Sequence, residues 1–309
     1  MKNICFLAAL IFLYPQCMER PSDNAKRTTA HAAAASENSI PMLEGPIAFN
    51  DYWYQGKAEL TTYTVEQERY GEIRKAEQVN IFVTEDFSKR KQVKLDDPLA
   101  AGADRSTVLK LNTVRRYHTG IYDYSMMQSV FTPVDGGKTL KTTCSVQDWC
   151  GHVFSQFNLE NNQYRVREFS YFEAEGDKNI TLDANSLLED DLWVRLRLNP
   201  ASIPTGKVSI IPPAFYIRLR HKDYQAQTAA ITVETGERES MLKITYESVP
   251  RVLTIRYESA SPYRIISWEE TDNGKLMSKG TRKATLMSAY WSQHDLKHDG
   301  LRDSLKLIF

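Results

Sequence analysis

The stretch KAELTTYTVEQERYGEIRKAEQVNIFVTEDF, residues 57–87, decides the class of fold. Its first half alternates, so that Leu60 and Thr62 lie on one side of an extended chain and Tyr63 lies on the other. The short segment Tyr70-Gly71-Glu72 then provides the residues of a tight turn. This pattern of alternation, turn and alternation predicts a β-hairpin.

The same pattern continues along most of the chain. Alternating segments separated by Gly, Pro or Asn turn signals predict about a dozen strands. Before the middle of the chain these segments are residues 106–120, 121–137, 139–159 and 163–176; after it they are residues 215–222, 228–236, 240–248, 252–259, 263–271 and 276–291.

One segment has helical spacing instead. In SLLEDDLWVRLRL, residues 186–198, Ser186 is followed three residues later by Glu189, as in a capping box, and Pro200 marks the end. We predict a helix over residues 185–197. Together the patterns predict a mainly β domain over residues 50–309, in which a large curved antiparallel sheet forms a half-barrel or a sandwich around one central helix.

The amino-terminal residues differ from the rest of the chain. Residues 1–17 contain an apolar run from Ile4 to Tyr14 that is too short for a membrane span but has the length of a signal-peptide core. Cys17 follows it, and lipidation of this cysteine predicts a membrane-anchored, exported protein. Simple cleavage or an unprocessed Cys17 are the alternatives. Residues 18–49 are polar and predict a flexible tether.

Charge and motif content exclude several functions. Lys+Arg and Asp+Glu are both 39, which is unlike a nucleic-acid-binding protein. We therefore predict that Arg115-Arg116 and Lys89-Arg90-Lys91 lie at solvated strand ends. The triplet Glu189-Asp190-Asp191 fits the first turn of a helix without any catalytic role. The sequence lacks G-x-S-x-G, Walker-type, G-x-G-x-x-G and H-E-x-x-H motifs, and it predicts no cofactor.

The segment CSVQDWCGH, residues 144–152, is the densest group of reactive side chains. In a straight strand, Cys144 and Cys150 would lie about 20 Å apart, whereas a disulfide needs Cα atoms within about 7 Å. They form a possible disulfide only if the chain turns near Gln147-Asp148. The alternatives are two buried thiols, a thiolate at Cys150 activated by His152, or a metal site that also includes Cys144.

Two histidines near the end of the chain could also suggest a metal site. His294 and His298 in HDLKHD would share one face of a helix at i,i+4. The motif has no general-base glutamate and the segment is polar, so we predict a solvated tail and no metal site.

The segments YWYQGKAELTTY, RYGEIRKAEQVNIFVTEDFS and CSVQDWCGHVF resemble a family of exported lipoproteins of unknown function from Bacteroidetes. The sheet-with-helix pattern is similar to periplasmic lipoprotein carriers. Some family members carry the name septum formation inhibitor Maf. In SASPYR, Ser259, Ser261 and Arg264 resemble the phosphate-binding motif of Maf nucleotide pyrophosphatases, but one arginine replaces two.

These features support a non-enzymatic envelope lipoprotein whose curved sheet binds an apolar or glycan ligand or a partner protein. The 33 aromatic residues could line such a concavity or form the core. An envelope hydrolase is the alternative hypothesis, and a pocket that gathers His118, His152 or His221 with carboxylates would favour it. A Maf-type pyrophosphatase is the remote alternative. No residue is predicted to be catalytic.

Overall fold

The computed structural model describes residues 51–309, which fall in one compact unit. The predictions for residues 1–17, Cys17 and residues 18–49 lie outside the described residues. Fifteen strands are formed: β1 Ala58–Arg69, β2 Glu72–Ser88, β3 Arg105–Thr119, β4 Tyr122–Pro133, β5 Lys141–Gln147, β6 His152–Glu160, β7 Gln163–Phe169, β8 Lys178–Asp183, β9 Leu187–Leu188, β10 Gly206–Ile211, β11 Gln227–Glu234, β12 Glu239–Tyr246, β13 Arg251–Glu258, β14 Ile265–Asp272 and β15 Lys275–Ser288. The helices are α1 Glu189–Leu198, α2 Ala214–Arg220 and α3 Gly300–Ser304.

The opening hairpin forms as the sequence predicts. β1 and β2 pair from Glu59↔Phe82 to Arg69↔Glu72. Only Tyr70 and Gly71 lie between the two strands, and both have positive φ, 57° and 78°. This conformation gives a two-residue turn whose twist matches the strands.

All fifteen strands form one sheet, and its two edges lie close together. The strand order is β8-β7-β6-β5-β4-β3-β2-β1-β15-β14-β13-β12-β11-β10-β9. The edge strands β8 and β9 are consecutive in sequence and only residues 184–186 separate them, a link that spans roughly 14 Å at most. The sheet must therefore curl so that its two edges approach each other where this link joins them, which confirms the prediction of a mainly β, curved sheet and gives it a barrel-like form.

The two edges are sealed by α2. Tyr216 and Ile217 of α2 pack with Tyr164 of β7 and with Leu188 and Ile211 of β9 and β10. The alternation of residues 215–222 predicts a strand, and this prediction is wrong because most of the segment belongs to α2. An alternating strand would leave one of its faces exposed, but residues 214–219 are all buried. A helix that is apolar on all sides suits such an enclosed position.

The central helix α1 is present but begins later than predicted. Leu187 and Leu188 pair in parallel with Ile210 and Ile211 instead of starting the helix, because they close the edge of the sheet. Ser186 consequently makes no helix cap, and the helix runs from Glu189 to Leu198 rather than over residues 185–197.

Charged side chains on α1 are buried and paired. The Arg197 guanidinium donates to both carboxylate oxygens of Glu59 on β1, each at 2.6 Å. Arg251 on β13 donates to the two carboxylate oxygens of Glu189 at 2.5 and 2.6 Å. Burial alone would raise the pKa of Glu59, but the Arg197 charge and hydrogen bonds hold it below its ordinary value.

We expect Glu59→Gln to lower the free energy of unfolding by about 3–5 kcal/mol, because Arg197 would stay buried without a carboxylate. Denaturant unfolding at neutral pH measures this change. The matched control is Glu247→Gln, which removes an exposed pair with Lys207 at 2.9 Å and should cost less than about 1 kcal/mol. Equal small changes in the two variants would contradict this account of α1.

Candidate functional site

A cavity of about 60 Å³, lined by both polar and apolar side chains, lies between the inner face of the sheet and the two internal helices. Strands β2, β3, β4, β13, β14 and β15 supply its wall on the sheet side, and α1 and the start of α2 supply the other. A void of this size holds a few water molecules. The groups that face it include Arg115, Gln128, Asp190, Trp193, Trp268 and Glu270.

Arg115 is the cavity's unusual cation. It is 7% exposed, and its guanidinium donates to the amide oxygens of Gln78 at 2.8 Å and Gln67 at 2.6 Å. The rings of Phe215 and Trp268 lie 5.3 and 5.7 Å from it. Burial lowers the pKa of Arg115 to about 10, and the charge of Glu270 partly offsets this effect. Arg115 is therefore a cation at neutral pH whose hydrogen-bond acceptors are neutral.

A network of charges lies on strands β13–β15 and reaches Glu189 on α1. Arg251 donates through Nε to Glu270 at 2.7 Å and through its other nitrogens to Glu189. Ser278 donates to Glu270 at 3.1 Å and accepts from the Trp268 indole at 3.1 Å. Burial would raise the pKa of Glu270, but Arg251 holds it below its ordinary value. Glu270 is thus an anion across the physiological range.

Asp190 differs from its neighbours because no cation pairs with it among the described residues. Its Oδ2 accepts from the Ala214 amide at 3.1 Å, at the first residue of α2. Burial raises the pKa of Asp190 from 3.8 to about 7, although hydrogen bonds from Gln128 and Ala214 favour the anion. Asp190 also keeps some accessible surface, which we assign to the cavity that it lines.

Charge balance defines what the cavity can accept. The cations Arg115 and Arg251 balance the anions Glu189 and Glu270, so the wall is neutral when Asp190 carries its proton. Ionisation of Asp190 adds one negative charge in a poorly solvated place. The arrangement suits an uncharged polar group that can both donate and accept hydrogen bonds.

The raised pKa of Asp190 predicts a loss of stability as pH rises. Well below pH 3.8 the folded and unfolded chains both hold the proton; from about pH 3.8 to 7 only the unfolded chain releases it, so stability falls. Above pH 7 the loss is complete and amounts to at most about 4 kcal/mol. Asp190→Asn should therefore be more stable than the natural chain at pH 8 but not at pH 4. Denaturant unfolding at both pH values measures this, with exposed Asp96→Asn as control.

In CSVQDWCGH the chain does turn, but the cysteines are not bridged. Residues 148–151 connect β5 to β6, and Asp148 Oδ1 accepts from the amides of Cys150 at 2.7 Å and Gly151 at 3.1 Å. Cys144 is buried on β5, while Cys150 is exposed in the turn. Trp149 in the same turn is 68% exposed.

The two thiols should differ sharply in reactivity. Burial raises the pKa of Cys144 well above its ordinary value, which suppresses the reactive thiolate. We expect a thiol-alkylating reagent to modify Cys150 in the folded protein and Cys144 only after denaturation. Mass spectrometry of the digested protein measures this. Cys150→Ser should abolish labelling of the folded protein, apart from any at cysteines outside residues 51–309. If neither thiol is alkylated until a reductant is added, the two cysteines form a disulfide instead.

The other sequence-predicted residues do not meet at one site. Ser259 bonds to Ser240 at 2.7 Å and to the carbonyl oxygen of Gly236 at 2.7 Å, in the turn region after β13. Arg264 lies 3.4 Å from Glu258. Ser261 precedes Pro262 in the β13–β14 connection.

The histidines are similarly dispersed. His118 lies opposite Asp123 on the β3–β4 hairpin, His152 contacts Ser145 at 2.8 Å, and His221 contacts Glu175 at 2.6 Å. His294 and His298 lie in the exposed carboxy-terminal segment. Across residues 51–309 no group of three or more His, Cys, Asp or Glu side chains is placed to hold a metal ion.

Sequence reasoning missed the cavity residues for identifiable reasons. Arg115 was assigned with Arg116 to a solvated strand end, but only Arg116 is exposed and Arg115 lies on the inner face. Glu189 and Asp191 do lie in the first turn of α1, as the sequence predicts, but they are buried at 1% and 3% exposure, which the sequence did not indicate. The alternation does indicate that Arg115 is buried, because Arg115 lies on the same side of β3 as apolar residues such as Leu109 and Leu111.

Comparison with known proteins finds no matching family model and no matching curated protein. Among solved structures, the chain is similar to a β-barrel-like protein of a domain of unknown function, DUF1849, from Brucella abortus. The identity is 8%, the match covers 75% of this chain and 98% of that chain, and the TM-score is 0.45. At this identity no residue role passes to this chain. No helix of the described part of the chain is long and apolar enough to cross a membrane.

Proposed function

We propose that this protein is a non-enzymatic envelope protein that binds a glycan-type ligand by placing one uncharged polar substituent in the internal cavity. The main support for this proposal is that neutral amides, a protonatable carboxyl and a balanced set of charges all line one small void. Export and membrane anchoring through Cys17 belong to this proposal, and the anchor lies outside the described residues.

The wall chemistry favours a glycan over an apolar ligand. Polar and charged side chains such as Gln128 and Asp190 line the void, and an acyl chain could not hydrogen-bond to any of them. The ring of Trp193 is partly exposed beside the cavity and offers an apolar surface of the kind on which sugar rings pack.

Size limits how much of a ligand can enter. Typical ligand pockets enclose about 300–1,000 Å³, whereas this cavity is about 60 Å³. A hydroxymethyl or acetamido substituent fits such a void, but a whole sugar ring does not. We infer that the partly exposed side chains of Trp193 and Pro213 form the entrance and that the rest of the ligand lies outside it.

One observation favours the alternative of an envelope hydrolase. Asp190 and Glu270 line the same cavity with pKa values displaced in opposite directions, as in pairs that act as general acid and base. Glycoside hydrolysis would need a glycosidic bond between these two carboxyls. The cavity is too small for that bond, so binding is the better supported function.

A binding experiment tests the proposal. Isothermal titration calorimetry with oligosaccharides that do or do not carry acetamido groups, and with a fatty acid as apolar probe, should detect saturable glycan binding alone. Gln128→Leu should weaken this binding at least about tenfold, because an apolar side chain of similar size cannot hydrogen-bond the ligand. The exposed Gln163→Leu is the matched control and should bind normally.

An activity assay on the same purified protein distinguishes glycan binding from glycan hydrolysis. Release of reducing sugar by the natural chain and its loss in Asp190→Asn would establish the hydrolase and contradict a purely binding role. Fatty-acid binding without glycan binding would overturn the glycan proposal. Unchanged affinity in Gln128→Leu would show that the ligand binds elsewhere.

A further inference from the structure

We propose that a second site, a basic groove at the end of the sheet where β1 begins, binds a phosphate group. This groove has a volume of about 430 Å³, within the range of ligand pockets, and shares no lining residue with the internal cavity. Its polar lining consists of Tyr52, Glu258, Arg264, Arg282, Lys283 and Thr285.

Cations outnumber carboxylates at this groove. Glu258 is shared by Arg282 at 2.7 Å and Arg264 at 3.4 Å, so one carboxylate serves two guanidinium groups. Lys283 has its own partner in Glu77 at 2.5 Å.

The carboxylate beneath the groove does not supply the missing charge. Both oxygens of Glu59 are occupied by Arg197, and Arg264 Nε approaches Glu59 only to 3.7 Å. The four cations Arg197, Arg264, Arg282 and Lys283 thus share three carboxylates, and the groove retains one positive charge.

Two guanidinium nitrogens at the groove make no hydrogen bond to the described residues, although one of them, Arg264 Nε, lies 3.7 Å from Glu59. They are Nη1 of Arg282 and Nε of Arg264, and both are shielded from solvent. A buried N–H without an acceptor costs free energy that a bound anion recovers. This is an observation independent of the charge count, and it points to the same kind of ligand.

The donor arrangement favours a phosphate group. Two planar guanidinium groups and one ammonium group surround the groove, and a phosphate presents several acceptor oxygens in different directions. The side chains remain accessible, with exposed fractions of 34% for Arg264, 26% for Arg282 and 16% for Lys283. The phosphate could belong to a soluble compound or to a lipid headgroup, since both present the same oxygens.

Titration of the full chain with inorganic phosphate at low ionic strength tests the site. Calorimetry should show saturable binding that salt weakens. Arg282→Gln should reduce the affinity about tenfold or more, since a charge-assisted hydrogen bond is lost. Glu258→Gln should instead strengthen binding, because it removes the competing carboxylate; this gain cannot arise from misfolding. The matched control is Arg256→Gln, which removes an exposed cation from the same strand as Glu258 and should leave the affinity unchanged.

Vesicles distinguish the two sources of phosphate. Phosphatidylcholine vesicles with and without phosphatidic acid are added to the natural chain and to Arg282→Gln. Binding of free phosphate alone supports a site for soluble phosphate compounds. Binding to phosphatidic acid that Arg282→Gln weakens supports a headgroup site. The proposal is overturned if neither probe binds, or if Arg282→Gln binds each probe as well as Arg256→Gln does.

Discussion

Two bidentate ion pairs, one at each end of α1, hold this helix inside the sheet, and the internal cavity depends on them. Glu189 is the first residue of α1 and pairs with Arg251 on β13, while Arg197 in the last turn pairs with Glu59 on β1. Each charge also has the sign that its end of the helix dipole favours. About 12 Å of helix separates the two pairs, so a shift along the axis would break both.

This arrangement explains why charged groups lie within an otherwise apolar interior. Buried ion pairs recover their desolvation cost only with excellent geometry, and apolar replacements are often equally stable. The pairs therefore add little to stability compared with a packed apolar core, but they fix where α1 places Asp190 and Trp193. Arg115 has no such structural pair, because its hydrogen bonds go to the neutral amides of Gln67 and Gln78. Its charge acts on the cavity instead.

Strand alternation and turn chemistry made the sheet predictable, because each hairpin is encoded locally. Tyr70-Gly71 between β1 and β2 is an example, since both residues adopt positive φ. The helix α2 was not predictable in the same way. Residues 215–222 alternate plausibly, and only burial on all sides by the two sheet edges selects a helix there. That burial depends on the short link between β8 and β9, which is a property of the complete topology.

The candidate sites were hidden for a related reason. Alternation shows which residues of a strand share a face, but it does not show that both faces of a region are enclosed. Arg115 and Arg116 are identical as letters, yet one faces α1 and the other faces solvent. The groove depends on a more distant combination, because Arg264 and Arg282 are 18 residues apart in sequence and meet only through the pairing of β14 with β15 near the open end of their hairpin.

The two sites lie near opposite ends of α1, which raises the question of whether they are coupled. Coupling needs an element with two arrangements whose balance both ligands shift. α1 is pinned at both ends, and Glu59 keeps its two hydrogen bonds to Arg197 whether or not Arg264 turns toward a phosphate. An anion in the groove would draw on Arg264 and Arg282, whereas the cavity relies on Arg115 and Arg251. Because the sites use different cations and share a fixed helix, they should bind independently.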